Sequence, residues 1–110
     1  MKTIMVRYRT SEAQAAANEA LVHAVYDELR TRAPEGFRYT TYRLADGVTF
    51  VHVATMERAD LNPLPTIAAF ADFQKGIKDR CVELPVVTEL SAVDSYGWPS
   101  PTGGREAPVR

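Results

Sequence analysis

Residues 37–56 read FRYTTYRLADGVTFVHVATM, two β-rich segments, FRYTTYRL and VTFVHVATM, that meet at Asp46-Gly47. An Asp-Gly pair between alternating β-formers is among the strongest short hairpin signals, because a type I′ turn needs φ > 0 at both central positions. With those two residues as the whole loop, Ala45 faces Val48, Arg43 faces Phe50, Thr41 faces His52 and Tyr39 faces Ala54. The two-residue period of a strand then sorts the hairpin into two faces. Tyr42, Leu44, Val51 and Val53 make an apolar face that wants a core. Tyr39, Thr41, Arg43, Phe50 and His52 make the other, with more aromatic and ionisable groups than a solvated face needs. That second face is the candidate site. A three-residue loop with a G1 bulge at Ala45-Asp46-Gly47 would instead bring Tyr42 and Thr40 beside His52, which makes Tyr42 a reserve candidate.

On the N-terminal side of the hairpin, Thr3 to Thr10 alternates as a strand, with Ile4, Val6 and Tyr8 on one face and Met5, Arg7 and Arg9 on the other. Ser11-Glu12-Ala13-Gln14 has the form of a capping box, which predicts a helix from there to about Arg32. Leu21, Ala24, Val25 and Leu29 form its apolar stripe, and Pro34 and Gly36 end it. His23 lies four residues from both Glu19 and Asp27, a spacing that fits a solvated charge pattern better than a metal or catalytic site. On the C-terminal side, 57–65 reads as a loop. Thr66 to about Val82 reads as a second helix, with Ile67, Phe70, Phe73, Ile77 and Cys81 inward. Gly76 in its middle costs about 1 kcal/mol relative to alanine. Leu84 to Tyr96 reads as the last strand, placing Val86, Leu90 and Ala92 on the helix side and Val87, Glu89 and Ser91 opposite.

The order strand, helix, strand, strand, helix, strand is the ferredoxin-like βαββαβ pattern, an α+β fold with a four-stranded antiparallel sheet and two helices on one face. The helices are expected over Ile4, Val6, Val51, Val53, Leu90 and Ala92. The opposite face then collects Met5, Arg7, Tyr39, Thr41, Arg43, Phe50, His52, Ala54, Val87, Glu89 and Ser91. That set is too apolar to stand bare in water and too polar for a plain core. A homodimer resolves the conflict, because two sheets face to face enclose it as a shared barrel with a mixed aromatic and polar cavity.

The IMVRY opening strand, the hairpin ending in TFVHVATME, the FADFQKGIKDRC helix and the closing VVTEL strand resemble those of the dimeric α+β barrel superfamily, in particular its antibiotic-biosynthesis-monooxygenase-like domains. The resemblance covers roughly Thr3 to Tyr96. It implies a homodimer with a pocket in each protomer, and activities in such families include cofactor-free oxygenation of quinols and aromatics, haem degradation, isomerisation and plain ligand binding. Where some members carry a tryptophan and a histidine on or near the second helix, this chain offers Phe70, Phe73 and Gln74. The missing histidine argues against haem degradation.

Chemistry at the candidate site centres on His52. An imidazole near its ordinary pKa could deprotonate a phenol or an acidic C–H, with Tyr39 or Arg43 stabilising the oxyanion. Phe50 or Tyr39 would stack a flat ligand, and Arg7 with Arg43 would clamp a carboxylate or enolate. The structural alternative has His52 hydrogen-bonded to Thr41 or to the partner's Glu89, and Arg7 paired with Glu89. The site residues are thus His52, Arg43 and Tyr39 as catalytic candidates, and Arg7, Thr41, Phe50, Tyr42 and Glu89 as ligand-binding ones.

With 110 residues the chain is one domain, 1–96, followed by a Pro/Gly-rich tail, 97–110, that holds three of the seven prolines and three of the six glycines. Trp98 is the residue expected to anchor that tail. A net charge of −1 with both signs dispersed gives no reason to expect nucleic acid or an anionic membrane. The single cysteine, Cys81, reads as a buried structural residue in a reducing setting. No apolar run approaches the roughly 18 residues of a membrane span, and MKTIMVRYRT lacks a signal peptide's apolar region, so a cytoplasmic location is expected. Two histidines on different elements, no glycine-rich phosphate loop and no GxSxG predict no metal and no cofactor.

Overall fold

A computed structural model describes residues 1–97. Trp98 and the rest of the tail lie outside the described residues. The elements in chain order are β1 (Lys2–Thr10), α1 (Ala15–Arg32), β2 (Phe37–Arg43), β3 (Thr49–Met56), α2 (Ala68–Lys75), α3 (Ile77–Arg80) and β4 (Cys81–Leu90). Short 3-10 turns at Glu12–Gln14 and Leu64–Thr66 precede α1 and α2. The sheet is antiparallel throughout, ordered β2-β3-β1-β4, which is the ferredoxin-like arrangement the element order predicts.

The hairpin keeps the expected register, with Arg43 opposite Phe50, Thr41 opposite His52 and Tyr39 opposite Ala54. Its turn is built differently. Leu44 N–H donates to Thr49 O at 2.9 Å and Gly47 N–H to Leu44 O at 2.9 Å, and of these loop residues only Gly47 has positive φ, at 77°. The Asp46 carboxylate then accepts from Val48 N–H, Thr49 N–H and the Thr49 hydroxyl, which holds its pKa down to about 2. The reserve reading that brings Tyr42 to His52 is thereby excluded: Tyr42 pairs with Val51 on the opposite face. Gly47 has open space around the position a Cβ would take, the nearest atom being 4.0 Å away. Gly47→Ala should therefore cost only the left-handed backbone penalty, about 1 kcal/mol, measured by urea unfolding.

Both helices depart from the expected detail. Ser11 makes no side-chain cap, and α1 buries Ala15, Asn18, Val22, Val25 and Leu29 rather than a stripe through Leu21 and Ala24. The helix closes at Ala33, in left-handed conformation, with its N–H on Leu29 O. The second helix is not continuous. It breaks at Gly76 (φ −111°, ψ 16°), and Cys81 begins β4 instead of ending a helix. Nor does Thr66 cap α2. The Glu28 carboxylate of α1 accepts from Ala68 and Ala69 N–H at 3.2 and 2.9 Å, stapling one helix start to the other helix and lowering the Glu28 pKa.

The sheet faces are the main correction. Strand register puts Ile4, Val6 and Tyr8 in rows with Ala54, His52 and Phe50, and Ile4 and Val6 with Glu89 and Val87. The helices therefore cover Tyr8, Tyr39, Phe50, His52 and Ala54, while Met5, Arg7, Tyr42, Val51, Val53 and Val86 share the open face. The β1 assignment holds, and those of the hairpin and β4 invert. Ser91 and Ala92 fall beyond the end of β4. The reason is volume: Tyr8, Phe50, Leu64, Ile67 and Phe73 close one cluster with Val22, Val25 and Leu29 of α1, which two valines on the other face could not fill. Among the described residues, no helix is long and apolar enough to cross a membrane.

Candidate functional site

The sheet-helix interface contains a line of buried polar side chains. Strand alternation aims Tyr8 and His52 at the helices, because each lies on the row of the apolar residues two positions away. Asn18 comes to the same place from α1, where the spacing Ala15, Asn18, Val22 puts it on the inward stripe. Arg80 comes from the end of α3. The backbone bend at Gly76 leaves room for it, since a Cβ there would sit 3.2 Å from Arg80 Nη1. Arg80 folds back over the Phe73 ring, 5.1 Å from its centroid, and Nη2 donates at 2.6 Å to the Phe73 carbonyl freed by the helix break.

These groups form one hydrogen-bonded chain. Arg80 Nε meets Asn18 Oδ1 at 2.9 Å, Asn18 Nδ2 meets the Tyr8 hydroxyl at 2.8 Å, and Tyr8 meets His52 Nε2 at 2.8 Å. On the far side of the ring, His52 Nδ1 lies 2.8 Å from the Tyr39 hydroxyl and 3.2 Å from Thr41 Oγ1, and Thr41 continues to the Tyr26 hydroxyl at 2.8 Å. Asn18, Tyr8, His52 and Arg80 are all buried, at 0, 2, 5 and 6% exposure. Arg80 has no carboxylate partner among the described residues.

Burial sets the protonation states. It is the sole cause that lowers the His52 pKa to about 4, so the ring is neutral at pH 7. It raises the Tyr8 and Tyr39 hydroxyls well above the ordinary phenol range, so both keep their protons. The free Cys81 thiol is also raised, through burial, away from a reactive thiolate.

Two depressions flank the chain. A cavity of about 310 Å³ has an apolar wall from Val6, Leu64, Phe70, Phe73 and Ile77, into which Tyr8, Tyr39, His52, Asn62 and Gln74 bring polar groups. Apolar walls with a few placed polar groups are the usual make-up of a small-molecule site. A second, more polar groove of about 340 Å³ runs along Glu19, His23, Tyr26, Thr41, Arg43 and Phe50, and Tyr39 belongs to both. Of these two depressions, the cavity is the one lined by the buried imidazole.

The expected site residues divide accordingly. His52, Tyr39 and Thr41 come together as expected. Phe50 is 1% exposed and stacks on Tyr8 at 5.5 Å, so it is core rather than a ligand platform. Arg43 lies in the outer groove, its guanidinium held by Glu19 at 2.6 Å and by Gly47 O at 2.9 Å. It cannot be the oxyanion partner within the cavity. Arg7 and Tyr42 are on the open face, whereas Glu89 is opposite Ile4 on the helix side, so an Arg7–Glu89 pair does not form. His23 is exposed with Nε2 3.4 Å from Glu19, as its spacing suggests. Among the described residues, no three His, Cys, Asp or Glu side chains are grouped so as to hold a metal ion.

Tyr8, Asn18 and Arg80 were not foreseen. The signal was present for Tyr8, in phase with Ile4 and Val6, and for Asn18, in phase with Val22 and Val25. For Arg80 it was absent, because a helix continuing through Gly76 hides the bend that turns it inward.

No protein-family model matches this chain, and no curated protein matches it. Solved structures do. A Nitrosomonas europaea protein named as a candidate antibiotic biosynthesis monooxygenase superposes with a TM-score of 0.71 at 13% identity, over 86% of this chain and 100% of that one. Rv0793 from Mycobacterium tuberculosis gives 0.67 at 23% identity, over 86% and 96%. A single-substitution variant of SnoaB, a cofactor-independent oxygenase from Streptomyces nogalater, gives 0.66 at 16% identity, over 88% and 97%. The chain thus has the fold of the antibiotic biosynthesis monooxygenase-like proteins.

Proposed function

We propose that this chain, carrying the fold of the antibiotic biosynthesis monooxygenase-like proteins, works as a homodimer that binds a small flat aromatic or quinol-like molecule and oxygenates it without a cofactor. The observation that carries the reading is the 310 Å³ cavity, apolar on its walls and reached by the Tyr8–His52–Tyr39 chain. Similarity to SnoaB, a cofactor-independent oxygenase, supports the reaction class. Such a reaction balances without a reductant: dioxygen delivers one atom to an activated CH₂ as a carbonyl, and the other leaves as water with the two hydrogens. The four electrons come from the substrate carbon.

Dimerisation is supported by the surface the helices leave uncovered. β4 is an edge strand, and its Leu84, Val86 and Val87 are 55, 63 and 64% exposed. Edge strands with bare apolar side chains are normally covered. Val86 shares the open face with Met5, Tyr42, Val51 and Val53, which a second copy would bury. Native mass spectrometry of freshly purified protein tests both halves of the proposal, with a dimer carrying an added small-molecule mass as the expected result. Val86→Lys should convert the dimer to monomer with little loss of protomer fold, because Val86 packs on little within its own chain. A native protein that is monomeric at micromolar concentration would sink the dimer.

The second reading is a non-catalytic ligand-binding or assembly homodimer. What favours it is the state of His52: neutral, and hydrogen-bonded through both ring nitrogens. Oxygen uptake with a quinol or anthrone probe separates the two. The enzyme reading expects uptake that is lost in Tyr39→Phe, and the binding reading expects none.

A further inference from the structure

The direction of every proton in the buried chain follows from one end. A guanidinium can only donate, so Arg80 Nε–H donates to Asn18 Oδ1, and this orients the amide with its NH₂ toward Tyr8. Asn18 Nδ2–H then donates to the Tyr8 oxygen. Among the described residues the single Tyr8 proton has one acceptor left, His52 Nε2. A neutral imidazole carries one N–H, which is therefore on Nδ1, donated to the Tyr39 oxygen with Thr41 as the longer partner. Tyr39 accepts that bond, and its own proton has no acceptor among the described residues. Its side chain lies on the wall of the cavity.

We infer that this chain is polarised from Arg80 outward and ends in a Tyr39 O–H offered to the ligand, so that the cavity selects a phenolate, enolate or other strongly accepting oxygen rather than taking a proton from it. The inference rests on the small-aromatic reading of the cavity and narrows it. His52 becomes a positioning residue, its lone pair occupied by Tyr8, and Asn18 and Arg80 act through it. The buried guanidinium, which no carboxylate neutralises among the described residues, favours negative charge at the far end of the chain. A phenol or quinol acidic enough to ionise in water loses its proton to solvent before binding, so the site needs no base.

Two measurements test this. Long-range ¹H–¹⁵N correlation on the free protein reports the His52 tautomer, with His23→Gln used to assign the ring. Proton on Nδ1 is the expected result, and proton on Nε2 overturns the inference. Asn18→Asp supplies a carboxylate that accepts from both Arg80 and Tyr8. Tyr8 should then turn its proton away, His52 should change to the Nε2–H tautomer, and Tyr39 should donate to His52 instead of to the ligand. The second measurement uses p-nitrophenol as the probe, whose ionised and neutral forms differ in colour. Native protein should bind the phenolate at least about tenfold more tightly than the phenol, a preference that Tyr39→Phe removes. If Asn18→Asp does not fold, the native tautomer and Tyr39→Phe still decide. Equal binding of the two forms, or a preference that survives Tyr39→Phe, overturns the inference. An Nδ1–H tautomer in a protein that binds no phenol supports the polarity and overturns the aromatic reading of the cavity.

Discussion

Asn18→Leu should lower the unfolding free energy by about 3 kcal/mol, a large share of the stability of a domain this size. Leucine has the same branched skeleton as asparagine and is larger, so the loss does not come from a void. It comes from Arg80, whose Nε–H loses its acceptor in a place water does not reach, and from Tyr8, which loses a donor. Taking the acceptor from a buried charged donor costs more than the bond contributes, because the desolvation already incurred is no longer offset. The matching control is Arg80→Met. Combined with Asn18→Leu it removes the charge along with its acceptor, so the double variant should be more stable than the sum of the two single losses by about 1 to 3 kcal/mol. Urea unfolding of the four proteins at one protomer concentration gives the coupling. Strict additivity would mean that the Arg80–Asn18 bond has no energetic role.

The second large effect is on pH. His52 has a folded-state pKa of about 4 against 6.5 for an ordinary histidine, so the unfolded chain binds a proton that the folded one refuses. Stability is full above pH 6.5 and is lost as pH falls toward 4. Between pH 7 and 4.5 the loss should reach about 2 kcal/mol. The carboxylates whose pKa is lowered, Glu19, Glu28 and Asp46, have ordinary values of 4.5 or below, so their contribution is lost only at lower pH. The window from 6.5 to 4.5 is therefore the one to measure. Unfolding midpoints of native protein and His52→Gln across that window isolate the imidazole, since glutamine does not titrate. A slope that persists unchanged in His52→Gln would falsify the assignment.

The hairpin shows how a correct register can be reached through an incorrect turn. Arg43 faces Phe50 and Thr41 faces His52 as Asp46-Gly47 suggests, yet the turn is held by the Asp46 carboxylate and a single positive φ at Gly47. Period-two alternation could say which residues share a face, and Tyr39, Thr41 and His52 do. It could not say which face meets the helices, because that depends on the offset between β1 and β3. Their pairing sets Tyr8 beside Phe50 and Val6 beside His52, and so carries the aromatic row inward.

Sequence alone determined the element order, the antiparallel hairpin and its register, the α+β class and the placing of Tyr39, Thr41 and His52 on one face. All of these rest on local periodicity, turn chemistry and residue type. Tertiary structure alone decided what His52 is. Its neighbours Tyr8, Asn18 and Arg80 are 44, 34 and 28 positions away in the sequence. Only packing brings them together, in a space too dry to charge the ring. A side chain's identity is written locally, but its protonation state and hydrogen-bond direction belong to the groups that exclude water around it.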